Sequence, residues 1–365
     1  MKFECSTEQL LTAIATTVRF VERRANLPAL SSVLITSDGN RLILRATNLE
    51  CGVEVTFSAK VSEEGVVAVP ATVLYGFLSN SKGKTVSVNL VGELFKIETE
   101  RTSASIKTIS HDDFPVLPKV SAERSFSIKT TDLVRAIRSV AYCASTSTIK
   151  PELQGVLLYG EAGKLTAVAT DSFRLAEKTV PLRAGGSVPQ LLLPARNAAE
   201  LMRILESAQG DVELYYNDNQ LSTHIGDIYY TSRLIDGTFP NYKQILPKSF
   251  STEVVVLRED LAGALKSLSI FADKFSQVSF NIEPSKKAIF LSSRNPDVGE
   301  QTSTVKATIS GGAVAMNFNG RYLADSLQAI SGESVRIQSN GAGKPLVIKD
   351  AADTSFLYLA MPMNR

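Results

Sequence analysis

The sequence is poor in the groups on which most site chemistry depends. Its 365 residues hold two histidines, His111 and His224, and three cysteines, Cys5, Cys51 and Cys143. The cysteines lie far apart, are odd in number and form no CxxC pair. They read as buried thiols in a reducing compartment, not as disulfides or a metal site. Net charge is almost absent. With 39 Lys+Arg against 37 Asp+Glu the chain carries +2, which is no global polyanion-binding signature. A nucleic-acid role requires basic groups segregated onto one face. Long apolar runs are missing too. The longest uncharged stretch, Gly65 to Ser81, carries Pro70, Gly76 and Asn80 and falls short of the ~20 apolar residues of a membrane span. The opening Met1-Lys2-Phe3-Glu4-Cys5 has no apolar signal core. The expectation is a soluble, cytoplasmic protein without a membrane partner.

Catalytic motifs are equally scarce. The nearest approach to a Walker loop, Gly341-Ala342-Gly343-Lys344-Pro345, lacks the earlier glycine and puts proline where the hydroxyl belongs, so it reads as a turn between strands. There is no Gly-x-Ser-x-Gly elbow and no HExxH. His111 beside Asp112-Asp113 reads as a polar strand end, and His224 as a cross-strand side chain. Thr170-Asp171-Ser172-Phe173-Arg174 reads as an Asp-capped tight turn, because a nucleophile there would need a base the sequence does not supply. No catalytic residue, metal site or cofactor is expected.

What the sequence does contain is a repeat. Apolar residues make up 44% and charged ones 21%, the balance of an ordinary globular protein, and the length suits two or three domains of ~100–200 residues. Leu10, Leu133 and Leu261 lie 123 and 128 residues apart, and each follows a polar pair and precedes Ala-Ile or Ala-Leu at the same offset. Each opens an amphipathic helix: Leu10, Ile14, Val18, Val21; then Leu133, Ile137, Val140; then Leu261, Leu265, Leu268. Ser6 with Gln9 forms a capping box, and Thr130 or Thr131 caps the second copy. Val69-Pro70-Ala71, Leu193-Pro194-Ala195 and Phe318-Asn319-Gly320 recur at 124 and 125 residues and begin a second helix in each repeat. Alternating segments such as Arg41–Arg45, Lys164–Val168, Val86–Leu90, Val212–Tyr215 and Val335–Ile337 supply strands. Asp113-Phe114-Pro115 and Thr238-Phe239-Pro240, each followed by Leu-Pro-Lys, mark linkers. The fold class is therefore α+β, with three similar domains, each of two helices packed on antiparallel sheets. The boundaries fall at 1–121, 122–248 and 249–365. Each third is close to neutral, yet basic residues gather on helices: Arg19, Arg23 and Arg24 at the end of the first, Arg135 and Arg138 on the third, Arg196 and Arg203 on the fourth.

Those repeats, together with Met1-Lys2-Phe3, Asn26-Leu27-Pro28-Ala29-Leu30, Val168 to Ala176, Asp236 to Tyr242 and the terminal Met361-Pro362-Met363, make the chain resemble the bacterial DNA sliding clamps, the β subunits of DNA polymerase III. The resemblance covers the whole length. It implies a non-catalytic processivity factor: a head-to-tail homodimer, each chain half of a closed ring around double-stranded DNA, helices lining the hole. Arg24, Arg135, Arg138, Lys150, Arg196 and Arg203 are then the candidates for DNA contact. The resemblance also implies a pocket for short peptides of DNA polymerase subunits, the clamp loader and repair proteins. The matching positions are Leu153, Thr170, Ser172, Phe173, Arg174, Leu175, Pro240, Gln244, Ile245, Leu346, Leu359, Met361, Pro362 and Met363. For the dimer interface, Ala104 and Ile106 should face Ser269, Ile270 and Phe271. Phe173, Gln244 and the Asn364-Arg365 end depart from the usual family pattern, which bears on peptide preference. A three-repeat scaffold or adhesion protein without DNA binding would carry the same repeats and charge.

Overall fold

The computed structural model describes residues 1–22, 27–121, 124–184 and 186–363. It contains six α-helices among the described residues: α1 (Thr7–Thr17), α2 (Ala71–Asn80), α3 (Thr130–Val140), α4 (Ala195–Leu205), α5 (Arg258–Leu268) and α6 (Gly320–Leu327). All strand pairings between them are antiparallel. None of the helices is long and apolar enough to cross a membrane. The chain is an α+β protein with two helices per third, as the repeat predicts. Two compact units emerge, residues 1–131 with 200–234, and 132–199 with 235–365.

The helix starts follow from local chemistry. Ser6 Oγ accepts from Gln9 N at 3.4 Å ahead of α1, and Asn319 Oδ1 accepts from Arg321 N and Tyr322 N ahead of α6, each satisfying donors that a first turn leaves unpaired. Three details differ from the sequence expectations. First, α1 ends at Thr17, short of Val18 and Val21. Thr17 Oγ1 is buried and donates back to Ala13 O at 3.0 Å, and Phe20 and Val21 pack into the core from the irregular chain beyond. Second, Thr130 is a helical residue whose hydroxyl donates to Gly210 O at 3.0 Å, so it anchors a loop instead of capping. Third, Pro70 sits at the N-cap of α2 and not inside its first turn.

In the first unit, five strands order as Lys60–Glu63, Lys2–Ser6, Thr85–Val91, Leu94–Thr99 and Ser103–Lys107. A second sheet of eight joins strands from two thirds of the chain. Ser125–Lys129, Asp211–Tyr216, Gln220–Ile225 and Ile228–Arg233 continue into Cys51–Ser58, Arg41–Thr47, Ser32–Asp38 and Gly65–Pro70. The seam is the pairing of Ile228–Ser232 with Val55–Cys51. In the second unit, a nine-stranded sheet is built the same way. Val188–Pro194, Gly155–Glu161, Lys164–Thr170 and Arg174–Pro181 continue into Phe356–Ala360, Leu346–Asp350, Ser334–Ser339, Thr252–Leu257 and Thr308–Gly311. Its seam pairs Arg174–Lys178 with Ala360–Phe356. Four further strands, Gly299–Lys306, Ala288–Asn295, Gln277–Glu283 and Val314–Asn319, form the last sheet.

All three cysteines are free and buried, and burial pushes the Cys5 thiol up to about 12, so it stays protonated. His224 pairs across the sheet with Tyr229, ring centroids 4.8 Å apart, and Gly341–Pro345 lies between the strands Ser334–Ser339 and Leu346–Asp350.

Candidate functional site

The hairpin joining Lys164–Thr170 to Arg174–Pro181 turns as the residues between them dictate. Asp171 Oδ1 accepts from Phe173 N and Arg174 N, both at 2.9 Å, and Thr170 Oγ1 donates to Arg174 O at 2.6 Å. Ser172 is forced to φ 78°, a left-handed conformation that non-glycine residues adopt at a cost. The turn thrusts Phe173 outward, 63% exposed, while its carbonyl accepts from Met361 N at 2.8 Å. Met363 N in turn donates to Asn317 O at 2.8 Å. Backbone hydrogen bonds thus hold the chain end beside the hairpin tip.

Strand alternation assigns the faces. Leu175 lies opposite Leu359, and Leu359 opposite Val347, so these three share the face that packs against Phe239 and Tyr242 of the irregular segment 235–250. Tyr242 donates its hydroxyl to Glu177 and meets Tyr159 Oη at 2.8 Å, which secures that segment on the sheet. Exposed Ile245 and half-buried Leu246 extend from it. Leu175 and Leu359 are themselves buried in that packing, and the apolar side chains left accessible around them are Phe173, Ile245 and Met361. Pro240 and Gln244 are exposed in the same segment, Pro362 and Met363 half-buried in the tail, and Leu153 buried in a short 3₁₀ turn. Leu346 is different: its register partner is Ala360, which also pairs with Arg174, so it lies on the opposite face.

Arg174 is a locked charge. Its Nε meets Asp171 Oδ2 at 3.0 Å, Nη1 meets Asp325 Oδ2 at 2.6 Å, and Nη2 donates to Tyr142 O at 2.7 Å. The guanidinium lies 4.3 Å from the Tyr322 ring centroid. Burial alone would lower the pKa of Arg174, but the bond to Asp325 and its other neighbours raise it. Burial likewise pushes the Tyr142 and Tyr358 hydroxyls and the Cys143 thiol up, leaving them neutral. Tyr142, Tyr322 and Asp325 are neighbours of Arg174 that the sequence alone does not single out, since all three lie outside the hairpin.

The basic candidates are placed as follows. Arg135 pairs with Asp132 at 2.7 Å. Glu200 accepts both Arg19 Nε at 2.8 Å and Arg203 Nη1 at 2.6 Å. Arg138 also has a partner. Arg196 and Lys150 are exposed and have no ion pair among the described residues. Arg23 and Arg24 lie outside the described residues, as do Asn364 and Arg365. Arg19 lies beyond the end of α1, not on it. Of the interface candidates, Ile270 is 68% exposed and Phe271 half-buried in a 3₁₀ turn after α5. Ala104 and Ile106 lie on the edge strand Ser103–Lys107, where Ile106 is buried in its own unit. Among the described residues no group of three His, Cys, Asp or Glu side chains is arranged to hold a metal.

Helix pairs repeated in each third of the chain, on antiparallel sheets that run on from one third into the next, define the architecture. Family models for the DNA polymerase III beta subunit match residues 1–118 (N-terminal domain), 127–241 (central domain) and 243–364 (C-terminal domain). The chain belongs to that family, the beta sliding clamps. A beta sliding clamp of Synechococcus elongatus is 30% identical, covering 100% of this chain and 99% of its own length. The DNA polymerase III beta subunit of Thermotoga maritima superposes with a TM-score of 0.94 at 26% identity, covering 100% of this chain and 99% of its own. The Pseudomonas aeruginosa clamp, solved bound to griselimycin, superposes with a TM-score of 0.93 at 26% identity, both chains covered completely.

Proposed function

We propose that the protein is a DNA polymerase processivity factor, a homodimer closing a ring around duplex DNA, sliding without sequence specificity and without catalysing a reaction in the cytoplasm. The observation that carries this reading is the family match over the whole length, joined to two sheets that each knit adjacent thirds of the chain together. Domains I (1–121), II (122–248) and III (249–365) would be the repeated modules, three from each chain. Arg24, Arg135, Arg138, Lys150, Arg196 and Arg203 would face the phosphates. Arg135 and Arg203 each already hold a carboxylate partner, which suits sliding, since each free cation neutralising a phosphate tightens static binding and steepens its salt dependence. Contacts of this kind carry no sequence information.

The hairpin pocket would take short apolar peptides of polymerase subunits, the clamp loader and repair proteins. Phe173, Ile245 and Met361 would form its walls above buried Leu175 and Leu359, with Thr170 holding the hairpin turn at its edge. Phe173 makes the wall greasier, and Gln244 brings no charge. That a related clamp has been solved bound to griselimycin supports a ligand-sized site on this fold.

The test is topological. A closed ring loaded on nicked circular DNA stays bound at high salt and is lost when the circle is cut. Equal retention on both forms, or none on either, would favour the scaffold reading.

A further inference from the structure

One carboxylate in the first unit holds two arginines. Glu200 Oε2 accepts from Arg19 Nε at 2.8 Å, and Glu200 Oε1 accepts from Arg203 Nη1 at 2.6 Å. Arg203 lies one turn further along α4, whereas Arg19 stands just past the end of α1, 181 residues away. The Glu200 side chain is 14% exposed, against 38% for Arg19 and 49% for Arg203, so the anion is sheltered while both cations reach solvent. Each guanidinium spends one nitrogen on Glu200 and makes no other hydrogen bond or ion pair among the described residues. A guanidinium presents a planar fork of several N–H donors, so most of theirs stay available.

These groups border an open cavity of about 430 Å³ between α1, α2 and α4, where a single water needs ~10–15 Å³. Hydroxyls on its wall are already committed as donors to nearby backbone carbonyls: Thr16 Oγ1 to Thr12 O at 3.0 Å, Ser79 Oγ to Gly76 O at 3.2 Å and Ser207 Oγ to Ile204 O at 2.9 Å. An anion entering here is met chiefly by the two guanidinium groups. Two cations against one carboxylate leave a single net positive charge. A phosphate and a carboxylate both suit the planar arginine fork, so an incoming phosphate and Glu200 compete for the same donors.

We propose that Glu200 is an internal rival of the DNA phosphates, weakening the grip of Arg19 and Arg203 on the duplex so that each contact is released easily. Resting on the reading of the chain as a clamp around duplex DNA, this adds Arg19 to the phosphate contacts. It makes Glu200, which holds no phosphate itself, the positioning residue that sets their strength. The carboxylate gives up an arginine when a phosphate arrives and takes it back when the duplex moves on.

The test uses full-length protein and a short linear duplex, on which an encircling ring gains nothing from topology, with fluorescence anisotropy read over a series of salt concentrations. Glu200→Gln binds more tightly at low salt than the parent, and the slope of log K against log salt steepens by about 0.9 for each further phosphate neutralised. Arg19→Gln added to Glu200→Gln gives back part of that gain, and Glu200→Asp, which keeps the charge, retains the parental slope. A purely structural clasp gives the opposite pattern, a lower urea midpoint in Glu200→Gln with an unchanged slope, and that result overturns the proposal. On the unaltered protein, the Arg19 Nε–H NMR signal shifts saturably as duplex is added; a signal that stays in place overturns the proposal as well. Absence of duplex binding by parent and variant alike sinks the clamp reading, and this inference with it.

Discussion

Arg174 is the residue on which the candidate pocket turns. Two carboxylates, a carbonyl and an aromatic face surround it, all but Asp171 drawn from other segments of the chain. Removing one partner leaves a nearly buried cation undercompensated. Asp325→Asn is therefore expected to destabilise the protein by about 2 kcal/mol, below the ~3–5 kcal/mol of a fully buried pair because Asp325 is partly exposed. Urea unfolding of the variant measures this. A second ion pair adds acid sensitivity. Lys178, almost fully buried, donates to Asp353 Oδ2 at 2.6 Å and to Ser355 Oγ at 2.7 Å. Burial alone would raise the pKa of Asp353, but the bonds from Lys178 and Ser355 outweigh it and hold the carboxyl down at about 2. A depressed native pKa means the unfolded chain binds the proton first. The stabilisation is present above about pH 4 and is lost as pH falls toward about 2. Asp353→Asn should flatten the dependence of the unfolding midpoint on pH in that window; an unchanged slope would assign the acid sensitivity elsewhere. Thr170-Asp171 was legible in the sequence as a turn because an Asx turn is made by neighbours. The partners of Arg174 were not legible, because nothing local in the chain marks Asp325 or Tyr142 as meeting it.

Helix starts at Ser6 and Asn319 and the alternating strands could be read directly, since periods of 3.6 and 2 and capping side chains are properties of a few adjacent residues. The end of α1 could not, because Val18 and Val21 keep helical spacing while Thr17 turns its hydroxyl back on the helix and the chain leaves to bury Phe20. Strand partners were equally hidden. Which strand lies beside Cys51–Ser58 is decided by residues almost two hundred positions away. The hairpin tip gives a test at this scale. Ser172 tolerates its left-handed backbone, whereas a β-branched side chain there is strained by ~1–2 kcal/mol. Ser172→Val should lower stability by about that amount and weaken capture of an apolar peptide by displacing Phe173, while Ser172→Gly keeps both. Thermal unfolding with fluorescence polarisation reads the two effects together.

For the molecule as a whole, the proposed ring rests on a join between two copies. Ile270 is exposed and Phe271 half-exposed in a single chain, so charge introduced there is tolerated by the monomer and is buried only on association. Ile270→Asp with Phe271→Asp should give a folded monomer in sedimentation where the parent sediments as a dimer. A dimer that survives both changes would move the join elsewhere. The seam between Ile228–Ser232 and Val55–Cys51 has a further consequence. Lys119 is exposed between those strands, so a protease nick at that point severs the polypeptide without dividing the sheet. Five facing residue pairs still stitch the fragments together, and pulling them apart would uncover two raw β-edges, each prone to capture another chain. Covalent continuity and cohesion are separate properties in this protein, and the second outlasts the first.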